Sequence, residues 1–125
     1  MKAQRSGAIW ICVAVILVLP AALLAHAFLD HAEPKVGSVV TQPPSEIRIW
    51  FTQEIEPDFS TIEVCDSHGN QVDKKDTHQD ADDKKLMIVS VPALASGEYT
   101  VMWKVVSTDT HHTHGEFRFT VKTQS

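Results

Sequence analysis

The sequence has few cysteines, and this excludes the framework of disulfide bonds that holds many small domains together. Of its 125 residues, two are cysteine, Cys12 and Cys65. Cys12 lies in an N-terminal stretch that we expect to be removed, so Cys65 would remain without an internal partner. A disulfide-stapled domain is therefore excluded. We interpret Cys65 as a small core or edge residue, with a role as a metal ligand or in an intermolecular disulfide left open.

Long apolar runs are also lacking. The longest, residues 8–24, is interrupted only by Pro20 near its end and has 17 residues, whereas a membrane-spanning helix needs about 20. Lys2 and Arg5 precede this run and small residues follow it, which is typical of a secretory signal peptide. We therefore predict a signal peptide at residues 1–25 and one small exported domain at residues 26–125. An uncleaved anchor is the alternative.

The cleavage point is ambiguous from the residues alone. Ala25-His26-Ala27 fits the small-x-small rule for cleavage after Ala27 better than Leu23-Leu24-Ala25 fits cleavage after Ala25. Cleavage after Ala25 leaves 100 of the 125 residues. A chain of that length forms one core and is too short for a large enzyme with several substrates.

Basic charge is scarce as well. The chain has 11 Lys and Arg against 16 Asp and Glu, a net charge of −5. Loss of residues 1–25 removes Lys2 and Arg5 and no acidic residue, which changes the net charge to −7. An acidic domain argues against nucleic acid as a partner and against binding to an anionic membrane surface. Histidine, in contrast, is plentiful: all seven follow residue 25, and histidine is the commonest metal ligand in proteins.

Short runs of alternating apolar and polar residues predict an all-β domain. The clearest predicted strands are residues 27–32, 46–52, 61–66, 85–91, 98–106 and 115–122. About seven strands in 100 residues indicate a Greek-key sandwich or small barrel. Tyr99, five residues after Leu94 and two after Gly97, fits a tyrosine corner, with a plain core aromatic as the alternative. The charged segment 74–85 lacks the central Gly and final Glu of an EF-hand, so we predict a solvated loop.

The densest polar cluster lies at residues 107–115, between the last two predicted strands. Asp109 and His111 are two residues apart, and in an extended segment such residues project to the same side. One carboxylate and one imidazole can therefore converge on one metal ion, while His112 would point away. His114 could share their face only if the chain turns.

Two ligands do not make a tight site, so a third must come from elsewhere, and His26 is the candidate. If cleavage leaves His26 first, its α-amine and its Nδ1 can chelate one ion, since an α-amine has a pKa of about 8. Three nitrogens and the Asp109 oxygen form a set that favours Cu(II) over Zn(II) and Ni(II).

These residues belong to a longer pattern, and the sequence resembles the CopC-type periplasmic copper-binding proteins from His26 to Lys122. The resemblance implies an immunoglobulin-like or cupredoxin-like fold with one Cu(II) bound by His26, Asp109 and His111, and it favours cleavage after Ala25. It also implies a copper-buffering or copper-carrying protein rather than an enzyme, with an inner-membrane copper transporter of the CopD type as a partner. The pattern consists of His26-Ala27-x-Leu29, Pro34-x-x-Gly37-Ser38, Pro43-Pro44-x-x-Ile47-x-Ile49-x-Phe51, Gly97-x-Tyr99-x-Val101-x-Trp103-x-Val105-Val106-Ser107 and Asp109-x-His111-x-x-x-Gly115-x-Phe117-x-Phe119-x-Val121.

The sequence departs from the family in three places. Gln53 stands where many members have a Glu near the copper, with Glu54 next, so an auxiliary carboxylate is left open. Few methionines remain after residue 25, which argues against a Met-rich Cu(I) site. His112 and His114 enrich a loop that is usually poorer in histidine; they are either exposed without a role or a weak second site.

Two other function classes compete with a copper carrier. The first is an immunoglobulin-like adhesion or assembly module whose histidines are incidental. The second is a copper-dependent oxidative enzyme, because an amine-plus-imidazole chelate with a second histidine also occurs in oxidative polysaccharide-cleaving enzymes. A small domain leaves little room for a substrate surface, and Asp109 would occupy a position that oxygen chemistry needs open.

Overall fold

The computed structural model describes residues 27–124, which form an all-β domain. The predicted signal peptide at residues 1–25 and the candidate ligand His26 lie outside the described residues. The elements are strands β1 (Leu29–Glu33), β2 (Val39–Val40), β3 (Glu46–Phe51), β4 (Thr61–Cys65), β5 (His78–Gln79), β6 (Leu86–Ser90), β7 (Gly97–Val106) and β8 (His112–Val121), with a 3₁₀ turn at Pro57–Phe59 before β4. No helix within residues 27–124 is long and apolar enough to cross a membrane.

The strands form two four-stranded sheets that pack as a sandwich, one of the two forms predicted. The strand orders are β1-β3-β6-β5 and β2-β8-β7-β4. All neighbours are antiparallel except β2 and β8, which pair in parallel. The longest pairing joins β7 and β8 over their whole length, from Gly97 opposite Val121 to Val106 opposite His112. This hairpin therefore fixes the position of the turn between its strands.

The core lies between the sheets and follows the predicted alternation. On β3, Ile47, Ile49 and Phe51 are buried while Arg48 and Trp50 are partly exposed. The buried faces of β7 and β8 follow the same rule, with Tyr99, Val101, Trp103, Val105, Phe117, Phe119 and Val121 inside. Each fully buried large apolar side chain contributes about 1.5–3 kcal/mol to stability. The sandwich is thus held mainly by these inward faces.

Three features of the strand prediction were wrong. Strands β2 and β5 are two residues long, too short to show an alternating pattern, and they exist because they pair with β8 and β6. The first strand begins at Leu29 rather than Ala27. The last strand begins at His112 rather than Gly115, because its backbone stays paired with β7 as far as Val106.

The tyrosine corner is confirmed. The Tyr99 hydroxyl donates a hydrogen bond of 2.7 Å to the Ala95 carbonyl, four residues upstream. Burial raises the pKa of the phenol, so Tyr99 stays a donor at neutral pH. This hydrogen bond fixes the start of β7 to the loop that precedes it.

The charged segment 74–85 is a connection that includes β5, and most of its side chains are exposed. Asp76 accepts a hydrogen bond of 2.8 Å from the Ser90 backbone N–H. Hydrogen bonds from Ser90 lower the pKa of the Asp76 carboxyl, so this exposed carboxylate stays charged. The segment is thereby tied to the end of β6.

Candidate metal centre

The turn between β7 and β8 is closed by the backbone of Ser107. The Ser107 N–H donates to the His111 carbonyl at 3.0 Å, and the Thr110 N–H donates to the Ser107 carbonyl at 2.8 Å. Thr110 adopts the left-handed conformation, with φ of 73°. Residues 107–111 are therefore a tight turn and not the extended segment that the sequence suggested.

The turn brings Asp109 and His111 into contact. The Nδ1 atom of His111 lies 3.2 Å from Oδ2 of Asp109. The two side chains are 52% and 45% exposed, so solvent and ions reach both. Strand alternation predicts these residues on one side of an extended segment, and that reason is wrong: the folded turn joins them.

Ser107 positions the Asp109 carboxylate. The Ser107 hydroxyl donates a short hydrogen bond to Oδ1 of Asp109, and Ser107 itself is almost completely buried. This hydrogen bond, with a smaller contribution from His111, lowers the pKa of the Asp109 carboxyl. Sequence reasoning missed this role, although Ser107 ends the motif that begins at Gly97 and directly follows β7. A serine two residues before an aspartate was the available signal.

The start of the described chain is fixed beside this turn. Ala27 is fully buried, and its carbonyl accepts a hydrogen bond of 2.7 Å from the Thr113 hydroxyl. Phe28 and Thr52 bind each other through two hydrogen bonds: the Phe28 N–H donates to Thr52 Oγ1 at 3.0 Å, and the Thr52 N–H donates to the Phe28 carbonyl at 2.8 Å. Ala27 is therefore held against β8 at Thr113, which lies two residues after His111.

The Thr113 contact spans 86 residues of sequence. No local spacing could have shown it, so sequence reasoning missed Thr113. The predicted ligand His26 is the residue before Ala27 and lies outside the described residues, so its predicted role remains a prediction.

The segment after β3 reaches the turn through its backbone. The Glu54 carbonyl accepts a hydrogen bond of 3.0 Å from the Thr108 N–H, and Ile55 forms an isolated bridge with Ser107. The Glu54 side chain is exposed and that of Gln53 is half-buried. These contacts link residues 53–55 to the turn and hold it in place.

The remaining histidines are placed elsewhere. His112 and His114 lie on β8 with exposed side chains, not in a loop as predicted. His31 stacks on Trp50 on the outer face of the other sheet, with ring centroids 4.3 Å apart. Cys65 ends the edge strand β4 half-buried, and burial raises its pKa, which fits the edge position that we expected.

The chemistry of the Asp109 and His111 pair fits a shared metal ion. Two ligand atoms each about 2.0–2.2 Å from one ion lie roughly 2.8–3.5 Å apart at bond angles between 90° and 110°, and the observed separation is 3.2 Å. Within residues 27–124, no group of three or more His, Cys, Asp or Glu side chains is arranged to hold a metal ion. The described part of the chain therefore offers two candidate ligands, and a complete metal site would need at least one more.

Comparisons with known proteins place the chain in one family. "Protein YobA" from Escherichia coli (strain K12) is 35% identical over 107 residues, covering 85% of this chain and 86% of that protein. "Copper transport protein CutJ" from Bacillus subtilis is 31% identical over 114 residues, covering 90% of this chain but 21% of CutJ. The crystal structure of CopC from Methylosinus trichosporium OB3b superposes with a TM-score of 0.76 at 32% identity, covering 80% of this chain and 97% of CopC. The family model for the CopC domain matches residues 29–122, and the chain belongs to the CopC family.

Proposed function

We propose that this protein is an exported, periplasmic copper-binding protein that buffers or carries one Cu(II) ion. Its ligands are the α-amine and imidazole of His26, the carboxylate of Asp109 and the imidazole of His111. The observation that carries this proposal is the 3.2 Å contact between Asp109 and His111 beside the fixed start of the described chain. Copper is the cargo of the protein and not a resident catalytic group, so we propose binding and transfer and no enzymatic reaction.

The donor set supports copper over other divalent ions. Imidazole and amine nitrogens with one carboxylate oxygen suit the tetragonal geometry of Cu(II), and Cu(II) also stands highest in the divalent affinity order. Membership of the CopC family and the name of the relative CutJ agree with this choice. The anchoring of Ala27 by Thr113 supports His26 as the missing ligand, because His26 is covalently bound to Ala27.

The exposure of the pair supports transfer. Both side chains are about half exposed, so a partner can reach an ion held by them. We propose an inner-membrane copper transporter of the CopD type as that partner. A CopC-like region makes up about a fifth of the length of the copper transport protein CutJ, which supports a working association between such a domain and transport.

The decisive experiment tests the N-terminal chelate. The full chain is exported by a bacterial host and purified from the periplasm, and mass spectrometry gives its first residue. Competition titration then gives the Kd for Cu(II). We expect a chain that starts at His26 and a much weaker affinity in a form with one extra residue before His26. Equal affinity of the two forms would show that the α-amine is not a ligand.

The side-chain ligands are tested with a matched histidine. We expect His111→Ala to weaken Cu(II) binding by at least the roughly 10–100-fold that loss of an outer-shell partner causes. Asp109→Asn should have a smaller effect, since the amide keeps one oxygen ligand. His68→Ala, an exposed histidine in a distant turn, is the control and should change nothing. The same loss in His68→Ala and His111→Ala would refute the site.

Thermal stability separates a copper carrier from an adhesion or assembly module. A ligand that binds only the folded state, present at a hundred times its Kd, raises the free energy of unfolding by about 2.7 kcal/mol. We expect this rise when free Cu(II) is held at about a hundred times its Kd for the unaltered protein, and its loss in His111→Ala at the same free Cu(II). A melting temperature that does not respond to Cu(II) would favour the module without a metal.

A further inference from the structure

The outer face of β8 carries a second pair of imidazoles. His112 and His114 are both exposed, and Thr113 between them points to the opposite side, where it binds Ala27. Residues two apart on a strand share a face at a spacing of roughly 6.4–6.8 Å. Two imidazoles at that spacing can each direct one nitrogen at a common ion, with each nitrogen about 2.0 Å from that ion.

The two histidines border one cleft of about 180 Å³. Phe59, Lys104 and Val106 are among its other lining residues. Phe59 is 71% exposed and stands at the rim, which gives the cleft an apolar side. The imidazoles therefore face a shared concave surface and not open solvent alone.

Both imidazoles are available as ligands. Within residues 27–124, neither His112 nor His114 makes a side-chain hydrogen bond or ion pair. One neighbour opposes a cation: Lys104 lies directly across from His114 on β7. Two protein ligands, with water for the rest and an ammonium group nearby, predict weaker binding than a site with an N-terminal chelate.

We propose that His112 and His114 form a second, weaker Cu(II) site on the outer face of β8. It is separate from the Asp109 and His111 pair, because that pair lies in the turn while His112 and His114 lie on the outer face of β8. The choice of copper rests on the proposed function, since Cu(II) has the highest affinity for imidazole among the divalent ions. The choice of His112 and His114 as ligands rests only on the structure of β8.

The test counts copper ions bound to the periplasmically purified protein. Equilibrium dialysis against Cu(II) should give two ions per chain, one tight and one weak. His112→Ala/His114→Ala should lose the weak ion and keep the tight one. The matched control His68→Ala/His78→Ala removes two other exposed histidines and should keep both ions. Loss of an ion in the control, or retention of both in the first variant, would overturn the assignment.

One further variant keeps the proposal distinct from the primary site. His111→Ala should lose the tight ion and keep the weak one. If the protein binds a single ion and His111→Ala removes it, the second site is wrong and the proposed function stands. If His112→Ala/His114→Ala removes the tight ion instead, the assignment of ligands in the proposed function is wrong.

Lys104→Gln tests the charge directly and does not alter either ligand. Lys104 pairs with His114 across the strands, so removing its positive charge should tighten the weak step by up to about fivefold at moderate salt. The tight step should not change. No change in the weak step, or a change in the tight step alone, would show that the weak ion lies elsewhere. Should the double variant fail to fold, as judged by circular dichroism, His112→Gln and His114→Gln singly should each weaken the second step.

Discussion

The hydrogen bond between Thr113 and Ala27 connects the stability of the fold to the proposed copper site. Thr113→Val keeps the shape of the side chain and removes the hydroxyl that donates to the Ala27 carbonyl at 2.7 Å. Because Ala27 is fully buried, its carbonyl loses a partner that water cannot easily replace. We therefore expect this one substitution to weaken both the fold and Cu(II) binding.

The size of the effect follows from the burial of the carbonyl. A typical hydrogen bond contributes about 0.5–1.5 kcal/mol net, and a buried group left without a partner costs about 1–3 kcal/mol. The added methyl of valine offsets a part, which leaves about 1–2 kcal/mol. For a domain of about 100 residues, each kcal/mol lowers Tm by roughly 4–8 °C. If copper binding has to restore the same anchoring, its affinity falls by up to about 5–30-fold.

The assay compares Thr113→Val with Thr120→Val, a matched change on the same strand. The Thr120 side chain is half-exposed and makes no hydrogen bond within residues 27–124. Urea unfolding and Cu(II) competition are measured for both. We expect a clear loss of stability and affinity only in Thr113→Val. Equal losses of stability in both variants would refute the anchoring role, and lost stability with unchanged affinity would separate the anchor from copper binding.

Three other substitutions test the fold that supports the site. Gly115→Ala would place a Cβ 2.5 Å from the Trp103 ring. We expect this overpacking to lower the free energy of unfolding by about 1–3 kcal/mol in urea. Trp103→Leu should restore part of the loss, and no restoration would show that the contact is irrelevant. Tyr99→Phe removes the 2.7 Å corner hydrogen bond and should lower stability by about 1 kcal/mol; an unchanged urea midpoint would contradict this. Asp76→Asn should destabilise the protein at neutral pH and not in acid. Hydrogen bonds from Ser90 lower the pKa of this carboxyl in the folded protein. The charged carboxylate therefore stabilises the fold above its ordinary pKa of 3.8, and this contribution is lost as the pH falls through the lowered pKa. A destabilisation that stays constant down to pH 2 would refute this account.

The sequence predicted those parts of the fold in which one strand face is buried. Ile47, Ile49 and Phe51 alternate with polar or partly exposed residues, and alternation with a buried face determines both the strand and its orientation. Strands β2 and β5 were not predicted because two residues carry no period. Their existence depends on pairing with strands that lie far away in sequence, as Val39 does with Thr120.

The candidate site was predicted less completely. The proximity of Asp109 and His111 was expected, but for a reason that does not hold, since they meet across a turn closed by Ser107. Local spacing could suggest a ligand pair because both residues lie within one short segment. It could not suggest the Thr113 anchor, because that contact depends on how the two sheets stack.

The start of β8 decides how many ligands the turn can offer. If the strand began at Gly115, as the pattern predicted, His112 and His114 would lie in a loop and could fold toward Asp109. Instead, pairing of His112 with Val106 extends the strand to the turn and commits both histidines to its outer face. The hairpin then presents the Asp109 carboxylate and the His111 imidazole at its turn, and two imidazoles on the outer face of β8. A complete site on the first side has to take its next ligand from outside the hairpin, and Ala27, bound to Thr113, is the point at which the N-terminal part of the chain reaches it.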